Sequence, residues 1–380
     1  MSPSASDPLA TGRSALANGD RLAAFAAFSQ ADDQTQIPYL ALARACFEAG
    51  DPAGEEAALA ARIRAVRGDV GAILAMAEAK RRGADDRAAM SFYKLALATA
   101  AQIAALPANF GPALQRAEAF VHATEQAFGD HLFQRLAASG IRAATAPPRV
   151  AEALRLLAGE QAVYLQQPSM FYFPGLAQRA WWDAEEFAWA VEVEAATDTI
   201  TAELQALLSG TDAFSPYVQA SPDRPPPNNP LLDKPDWGAA WVLKDGAVAE
   251  GMATACPATL AALAHAPQPV IPNRAPLALF SRLKPGTHIA PHHGLLNTRL
   301  ICHLPLIVPD GCALRVGAET RQWHHGKLTI FDDSFEHEAW NRGTSDRTVL
   351  LFEIWRPDLT GEERDQLTRI FAAIDSYDVN

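Results

Sequence analysis

Histidine is concentrated in one short part of this 380-residue chain, where seven of the ten histidines lie between His288 and His337. Two of them stand in distinctive surroundings. His292 ends the run THIAPH, and His337 follows 45 residues later in FDDSFEHEAW. Imidazole is the commonest side-chain metal ligand, and a pair of neutral imidazoles suits Fe(II). The spacing therefore predicts a metal site in which these two side chains are brought together by the fold.

The neighbouring positions define what else the site would contain. A carboxylate two residues after the first histidine usually completes an iron site of this kind, and here that position is Gly294. Arg347 lies ten residues after His337, within the apolar run RTVLLFEIW. A guanidinium buried among apolar side chains needs an anionic partner. The dicarboxylate 2-oxoglutarate would satisfy it through paired, charge-assisted hydrogen bonds, and a structural ion pair is the alternative.

Short β-rich runs must position these residues. They alternate with turn residues and indicate a sandwich or barrel; they cover 277–283, 297–308, 313–323, 327–331 and 348–355. Within this part, His293 is expected to point away from the face of His292, and His288 to serve packing or support. His324 and His325 are expected to be exposed in a hairpin turn. Asp332 and Asp333 are interpreted as a turn at a strand end rather than as metal ligands.

Three runs in this part, FSRLKPGTHIAPHHGLLNTRL, HLPLIVP and IFDDSFEHEAWN, resemble the aspartyl/asparaginyl β-hydroxylases over roughly residues 170–360. The resemblance implies a double-stranded β-helix (a jelly-roll, cupin-like fold) and a dioxygenase that uses Fe(II), 2-oxoglutarate and O2. That family places glycine where other dioxygenases place the carboxylate, so Gly294 fits it. The implied substrate is an Asp- or Asn-like residue in a peptide or protein, or a related small acid.

The same resemblance implies roles for individual residues. His292 and His337 match the metal ligands. Arg347 and Ser281 match the groups that hold the distal carboxylate of 2-oxoglutarate, and His303 matches a histidine close to that cosubstrate. Arg299 matches an arginine that faces the substrate. One departure is Ile301, which stands where a second arginine is usual and weakens the case for an acidic substrate.

Ahead of the catalytic region, residues 1–142 are Ala-rich with helical periodicity. Asp20, Asp51 and Asp85 each open a predicted helix, at spacings of 31 and 34 residues, with partner helices predicted over 39–49 and 70–82. The pattern resembles a short tetratricopeptide-type array, whose concave surface would either bind a peptide or protein partner or only support the next domain. The predicted class is therefore α+β: the repeat at 1–142, a helical linker at 143–169, the catalytic domain at 170–365 and a C-terminal helix and tail at 366–380.

The linking segments carry further expectations. An acidic amphipathic helix with a solvated face is predicted over 183–208, and the Pro-rich loop 209–235 is the candidate cover of the site. A helix is predicted from Pro257, and a capping box from Thr360 to Glu363 opens the last helix.

Composition limits the remaining possibilities. The net charge of −12 argues against nucleic acid or an anionic membrane surface as the main partner. No apolar leader and no run long enough for a membrane span are present, which favours a cytoplasmic protein with free thiols. Two alternatives stay open: hydroxylation of a lipid acyl chain, and a non-catalytic helical-repeat adaptor with a degenerate barrel.

Overall fold

The computed structural model describes residues 7–142, 144–210, 213–221 and 225–377. The chain divides into two compact units, Met1–Gln161 and Ala162–Asn380. The first is helical and the second is built mainly from β-strands. The predicted α+β composition, with helices ahead of a β domain, is therefore confirmed.

The helices of the first unit are α1 Pro8–Ala17, α2 Arg21–Phe28, α3 Tyr39–Glu48, α4 Pro52–Ala65, α5 Val70–Arg82, α6 Asp86–Ala101, α7 Gly111–Ala138 and α8 Pro148–Leu157. Asp20, Asp51 and Asp85 are the N-caps of α2, α4 and α6. Each carboxylate accepts a hydrogen bond of 2.9–3.0 Å from the backbone N–H three residues on. Such a cap satisfies an otherwise unpaired donor of the first turn. The predicted helices are confirmed, and their identity as a tetratricopeptide array stays a prediction.

The strands of the second unit are β1 Trp181–Trp182, β2 Ser215–Pro216, β3 Trp237–Lys244, β4 Ala247–Val248, β5 Ala278–Leu283, β6 His288–His292, β7 Arg299–Ile307, β8 Cys312–Val316, β9 Glu319–Arg321, β10 Thr329–Phe331, β11 His337–Asn341 and β12 Arg347–Trp355. Its helices are α9 Ala190–Ala195, α10 Thr197–Leu208, α11 Met252–Ala255, α12 Pro257–Leu263 and α13 Gly361–Asp375. The helix predicted from Pro257 and the capping box of Thr360 with Glu363 are both confirmed.

Two antiparallel sheets organise these strands. The larger has the order β1-β10-β7-β12-β5-β3-β2, with β4 paired to β3, and the smaller has the order β6-β11-β8-β9. Side chains from both sheets, such as Leu283 and Ile301 from the larger and Leu314 and Val316 from the smaller, share one apolar core. The two sheets therefore face each other, as expected for a jelly-roll.

The period of two along each strand decides which side chains enter this interior. In β7, Leu300, Cys302 and Leu304 pack on the outer face against the cluster that includes α9, α10 and α12. Arg299, Ile301 and His303 alternate with them and point to the inner face. In β12, Leu350, Phe352 and Ile354 likewise face outward, which places Arg347, Leu351 and Glu353 inside. All four cysteines are buried and free.

The single acidic helix predicted over 183–208 is wrong. This part folds as a short 3₁₀ turn at Ala184–Glu186 followed by α9 and α10. The expectation of a solvated acidic face also fails at Glu203, whose carboxylate accepts hydrogen bonds from the backbone N–H groups of Ala258 (2.7 Å) and Thr259 (2.9 Å). These donors belong to the first turn of α12, where a carboxylate satisfies unpaired N–H groups. Glu203 thus fixes α12 to α10.

Candidate functional site

The two predicted metal-binding histidines meet across the smaller sheet. His292 at the end of β6 and His337 at the start of β11 are direct antiparallel partners, and their ring centroids are 4.0 Å apart. Nδ1 of His292 lies 2.8 Å from the carbonyl oxygen of Ala290, and Nδ1 of His337 lies 3.0 Å from that of Phe335. A carbonyl oxygen can only accept, so both Nδ1 atoms donate, and Nε2 is the nitrogen of each ring that could bind a metal.

Burial keeps His337 in the neutral form that a metal requires. Its side chain is 8% exposed, and burial, with the adjacent His292, lowers its pKa to about 3. A metal-binding imidazole must be deprotonated at the ligating nitrogen. His292 is exposed, so the pair is reached by solvent from the side of β6.

Position 294 requires glycine because there is no room for a side chain, and not because of its backbone conformation. A Cβ added there would lie 2.1–2.5 Å from the carboxylate atoms of Asp333. Position 294 therefore carries no carboxylate of its own, but the carboxylate of Asp333 lies against it. Asp333 belongs to the segment that precedes His337. Among the described residues, no group of three or more His, Cys, Asp or Glu side chains is arranged to hold a metal ion. The site thus offers two imidazoles with a carboxylate nearby.

The predicted turn at Asp332 and Asp333 is confirmed, but both side chains are buried and have partners rather than facing solvent. Asp332 forms a fully buried ion pair with Arg356 at 2.5 Å. It also accepts hydrogen bonds from the backbone N–H of Ser334 and from the side chain of Gln166. This network fixes the strand end from which Asp333 extends towards Gly294.

Arg347 is a deeply buried cation of the interior, at 1% exposure. Its guanidinium lies 4.6 Å above the ring of Trp323 and donates a long hydrogen bond, 3.4 Å, to the carbonyl oxygen of Ser281. Its Nε has no partner, and the described residues give it no ion pair. Burial lowers its pKa to about 10, which marks a cation without the compensating charge that a buried ion normally has.

Further polar atoms around Arg347 are also unpaired. His303 and Trp323 lie with ring centroids 5.8 Å apart, and within the described parts of the chain neither Nδ1 of His303 nor Nε1 of Trp323 has a hydrogen-bond partner. Burial, followed by Arg347 and His337, holds the pKa of His303 well below its usual range. The hydroxyl of Ser281 accepts a hydrogen bond from the indole of Trp237 at 3.2 Å. Buried polar atoms are rarely left unpaired, so this part of the interior is suited to a polar, anionic group.

Arg299 lies on the same inner face, and its guanidinium already forms ion pairs within the protein. One of its terminal nitrogens contacts Glu353 at short range, and the other lies 3.5 Å from Asp333. Both carboxylates favour its charged form and raise its pKa despite the burial. Ile301 is buried between Arg299 and His303 on the inner face. The predicted substrate-facing arginine is therefore neutralised by two acids within the protein.

The described part of the predicted cover packs beside the site. Ser215 and Pro216 add an edge strand to β3, and the ring of Tyr217 stacks on that of Trp237 at 4.0 Å between centroids. Trp237 in turn donates to Ser281. Residues 211–212 and 222–224 of the predicted cover lie outside the described residues.

The exposure predicted for His324 and His325 is confirmed, whereas His288, expected to serve packing or support, lies at the surface. His288 is half-exposed and lies 2.7 Å from Glu338 on the neighbouring strand β11. The structure therefore separates the paired His292 and His337 from histidines with surface contacts.

Comparison with known proteins finds a family model that matches part of the β domain. Residues 194–357 match the family model described as aspartyl/asparaginyl beta-hydroxylase. The aspartyl/asparaginyl beta-hydroxylase of Homo sapiens is 32% identical over 205 residues, which is 54% of this chain and 26% of that protein. The ornithine lipid ester-linked acyl 2-hydroxylase of Rhizobium tropici is 34% identical over 179 residues, 46% of this chain and 60% of that protein. The matched segment thus spans about a quarter of the length of one relative and somewhat less than two thirds of the other.

Among solved structures, a predicted oxalate decarboxylase from Thermotoga maritima is similar over 32% of this chain and 81% of its own, at 16% identity and a TM-score of 0.22. No helix in the described parts of the chain combines the length and the apolar character that crossing a bilayer requires.

Proposed function

We propose, from the membership of residues 194–357 in the aspartyl/asparaginyl β-hydroxylase family, that this chain is a hydroxylase dependent on Fe(II), 2-oxoglutarate and O2. One observation carries the proposal: the facing pair His292 and His337 lies in the same domain as Arg347, a buried cation to which the described residues offer no ion pair. The first is a donor set for iron, and the second is a receptor for a dianion.

The metal would be held by Nε2 of His292 and Nε2 of His337. Hydrogen bonds from both Nδ1 atoms to backbone carbonyls fix the rings and the tautomers, as is usual for metal-binding histidines. Asp333, placed against Gly294, would hold a water of the metal or add charge beside it. Its contact with Arg299 keeps the carboxylate in place.

The far carboxylate of 2-oxoglutarate would bind to the guanidinium of Arg347 and the hydroxyl of Ser281. A buried carboxylate would supply the missing partner of Arg347 Nε and the missing acceptor for Nε1 of Trp323. His303, kept neutral by burial, would contribute a hydrogen bond without adding charge. The unpaired N–H donors of Arg347 and Trp323 therefore match the carboxylate chemistry of the cosubstrate.

Bound iron with 2-oxoglutarate would supply the oxidative chemistry, in which O2 and 2-oxoglutarate give succinate, CO2 and one oxygen atom for the substrate carbon. The protein contributes orientation and exclusion of water. Arg347 and Trp323 hold one end of the cosubstrate in a dry interior, and Tyr217 stacks over Trp237 at its edge.

The first candidate substrate is an Asp- or Asn-like residue of a peptide, or a related small acid. It is supported by the family of residues 194–357 and by the human relative. The second is a lipid acyl chain, supported by the identity with the Rhizobium enzyme. Arg299 is neutralised by Glu353 and Asp333, and this argues against a strongly acidic substrate in either case.

We also propose that the helical unit binds a peptide or protein partner. The groove of about 570 Å³ beside α2 and α4 supports this proposal.

The proposal is tested by iron binding and by succinate formation from 2-oxoglutarate. His292→Ala and His337→Ala should each lose tight Fe(II) binding and release no succinate above background, because each removes half of the protein ligands. His324→Ala, a matched change at an exposed histidine, should retain both. Normal iron content and succinate release in His337→Ala would overturn the proposal.

A further inference from the structure

A second polar feature lies in the β domain at the end of the barrel interior away from Arg347. A cavity of about 230 Å³ is lined there by residues of the segment that follows His292, by β12, and by α13. Its size is below that of pockets for drug-sized ligands, so it fits one side chain or one head group. Apolar side chains, including Leu295, Trp355 and Phe371, form most of its wall.

The polar floor of this cavity is the pair Arg299 and Glu353. Glu353 is 1% exposed. One of its carboxylate oxygens contacts Arg299, and the other, Oε1, is buried without a hydrogen-bond partner among the residues that the structure describes. Burial raises the pKa of Glu353, and Arg299 opposes that rise by favouring the charged form. A buried, unpaired carboxylate oxygen beside a cavity is an acceptor that lacks its donor.

The charges around the cavity are unequal. Its two arginines both form ion pairs: Arg299 with Glu353 and Asp333 through its terminal nitrogens, and Arg274 with Asp375 through two contacts of 2.5 Å. Nε of Arg299 has no hydrogen-bond partner among the described residues. Asp245 also lines the cavity. These four carboxylates and two guanidinium groups leave a formal charge of −2. A carboxylate entering the cavity would meet excess negative charge, and a cation would reduce it.

We infer that this cavity binds an alkylammonium group, such as the end of a lysine side chain, and that it does so as a specificity site for the substrate. The apolar wall would contact the methylene stem, and Oε1 of Glu353 would accept a hydrogen bond from the ammonium. The inference deepens the proposed function, on which its role in catalysis rests. The cavity adjoins the metal-facing side, because Asp333 contacts both Arg299 and the position of Gly294.

The test compares three probes of equal length that differ only in the head group: hexylammonium, hexanamide and hexanoate. Binding to the full chain is followed at neutral pH by tryptophan fluorescence, since Trp355 lines the cavity, and by ligand-observed NMR. The measurement is made on the metal-free protein and again with Fe(II) and 2-oxoglutarate in the absence of O2. Hexylammonium should bind at least tenfold tighter than hexanoate in both states. Equal or tighter binding of hexanoate, or no binding of hexylammonium, would overturn the inference.

Glu353→Gln keeps the shape of the side chain and removes its charge. It should lower the preference for hexylammonium below threefold, or reverse it, because Arg299 loses a partner. Glu250→Gln, at an exposed glutamate outside the cavity, is the matched control and should behave as wild type. Should Glu353→Gln fail to fold, Asp245→Asn at the exposed rim should still reduce the preference two- to threefold. An unchanged preference in Asp245→Asn and Glu353→Gln would contradict the site.

Two further probes distinguish the sources of the cation. Nα-acetyl-lysinamide represents a peptide, and dodecylphosphoethanolamine below its critical micelle concentration represents an aminolipid. The inference requires Glu353-dependent binding of at least one of them. Because the binding assay needs neither iron nor turnover, a failure here is separate from a failure to bind Fe(II) or to release succinate, which would overturn the proposed function instead.

Discussion

Replacing Arg347 should weaken 2-oxoglutarate binding without weakening the fold. Arg347→Met keeps the length and apolar stem of the side chain and removes the guanidinium. In the structure this guanidinium is buried, has no ion pair among the described residues and has an unpaired Nε. Burial lowers its pKa, as expected for a buried cation without an acidic partner.

The magnitude follows from the bonds that the cosubstrate would form. Two charge-assisted hydrogen bonds are worth about 1.5–3 kcal/mol each, or about 3–6 kcal/mol together. Since about 1.4 kcal/mol corresponds to tenfold in affinity, the apparent KM for 2-oxoglutarate should rise by two to four orders of magnitude. Arg347→Lys should recover only part of this, because a single ammonium cannot reproduce a planar, two-pronged contact.

Stability should respond in the opposite sense. All eight tryptophans lie between Trp181 and Trp355, so their fluorescence during denaturant unfolding reports on the second unit. Without cosubstrate, Arg347→Met should be as stable as wild type or more so, because an uncompensated buried charge is removed. With 2-oxoglutarate at a hundredfold excess over its Kd, wild type should gain about 2.7 kcal/mol, and Arg347→Met should gain nothing at that concentration. Arg342→Ala, at an exposed arginine over Trp340, is the control and should change neither quantity.

A structural ion pair would give a different result. Removing one partner of a buried pair costs about 3–5 kcal/mol of stability. A loss of that size in Arg347→Met, together with a KM for 2-oxoglutarate within threefold of wild type, would refute the assignment of Arg347 to the cosubstrate.

Three further predictions concern the metal side and the substrate side. Gly294→Asp should lower stability and give no gain in succinate release, because its Cβ would lie 2.1–2.5 Å from the carboxylate of Asp333. Adding Asp333→Ala should restore part of the stability. Faster turnover in the single variant would contradict this reasoning. Ile301→Arg should improve turnover of Asp-containing peptides at an unchanged KM for 2-oxoglutarate, because it adds a cation beside the acids that neutralise Arg299; a lower KM for 2-oxoglutarate with every substrate would assign that position to the cosubstrate. The folded pKa of His337, about 3, lies below the usual value of about 6.5, so the unfolded state takes up the proton first and stability falls as the pH drops from about 6.5 towards 3. Between pH 7.5 and 5.5 the metal-free protein should lose about 1.4 kcal/mol through this residue, and denaturant unfolding of His337→Gln should lack that component.

The sequence locates some of the strands that carry the candidate site residues and misses others. Strong apolar runs locate β5, β7 and β12, and with them Ser281, His303 and Arg347. The sequence does not predict β6 and β11, because apolar and polar residues do not alternate clearly along them. In β6, four of the five residues are exposed. Their pairing depends on the opposite strand rather than on local propensity. The strand predicted over 313–323 is a hairpin of β8 and β9 that turns at Gly317, where φ is +58°.

The acids of the interior show where reasoning from one sequence stops. The sequence Asp332-Asp333 is compatible both with a solvated turn and with a buried ion pair. The ion pair depends on Arg356, which only the fold brings next to Asp332. Glu353 did carry a signal, since a lone carboxylate within an apolar strand requires a buried partner. That partner, Arg299, lies 54 residues away on the adjacent strand, and no periodicity within β12 identifies it.

Incubation of the full chain with Fe(II), 2-oxoglutarate and ¹⁸O2 tests the central claim most directly. The proposed chemistry places one atom of each O2 in succinate, so mass spectrometry should find succinate carrying a single ¹⁸O, in amounts that depend on both His292 and His337. Unlabelled succinate, or labelled succinate formed equally by His337→Ala, would contradict the account.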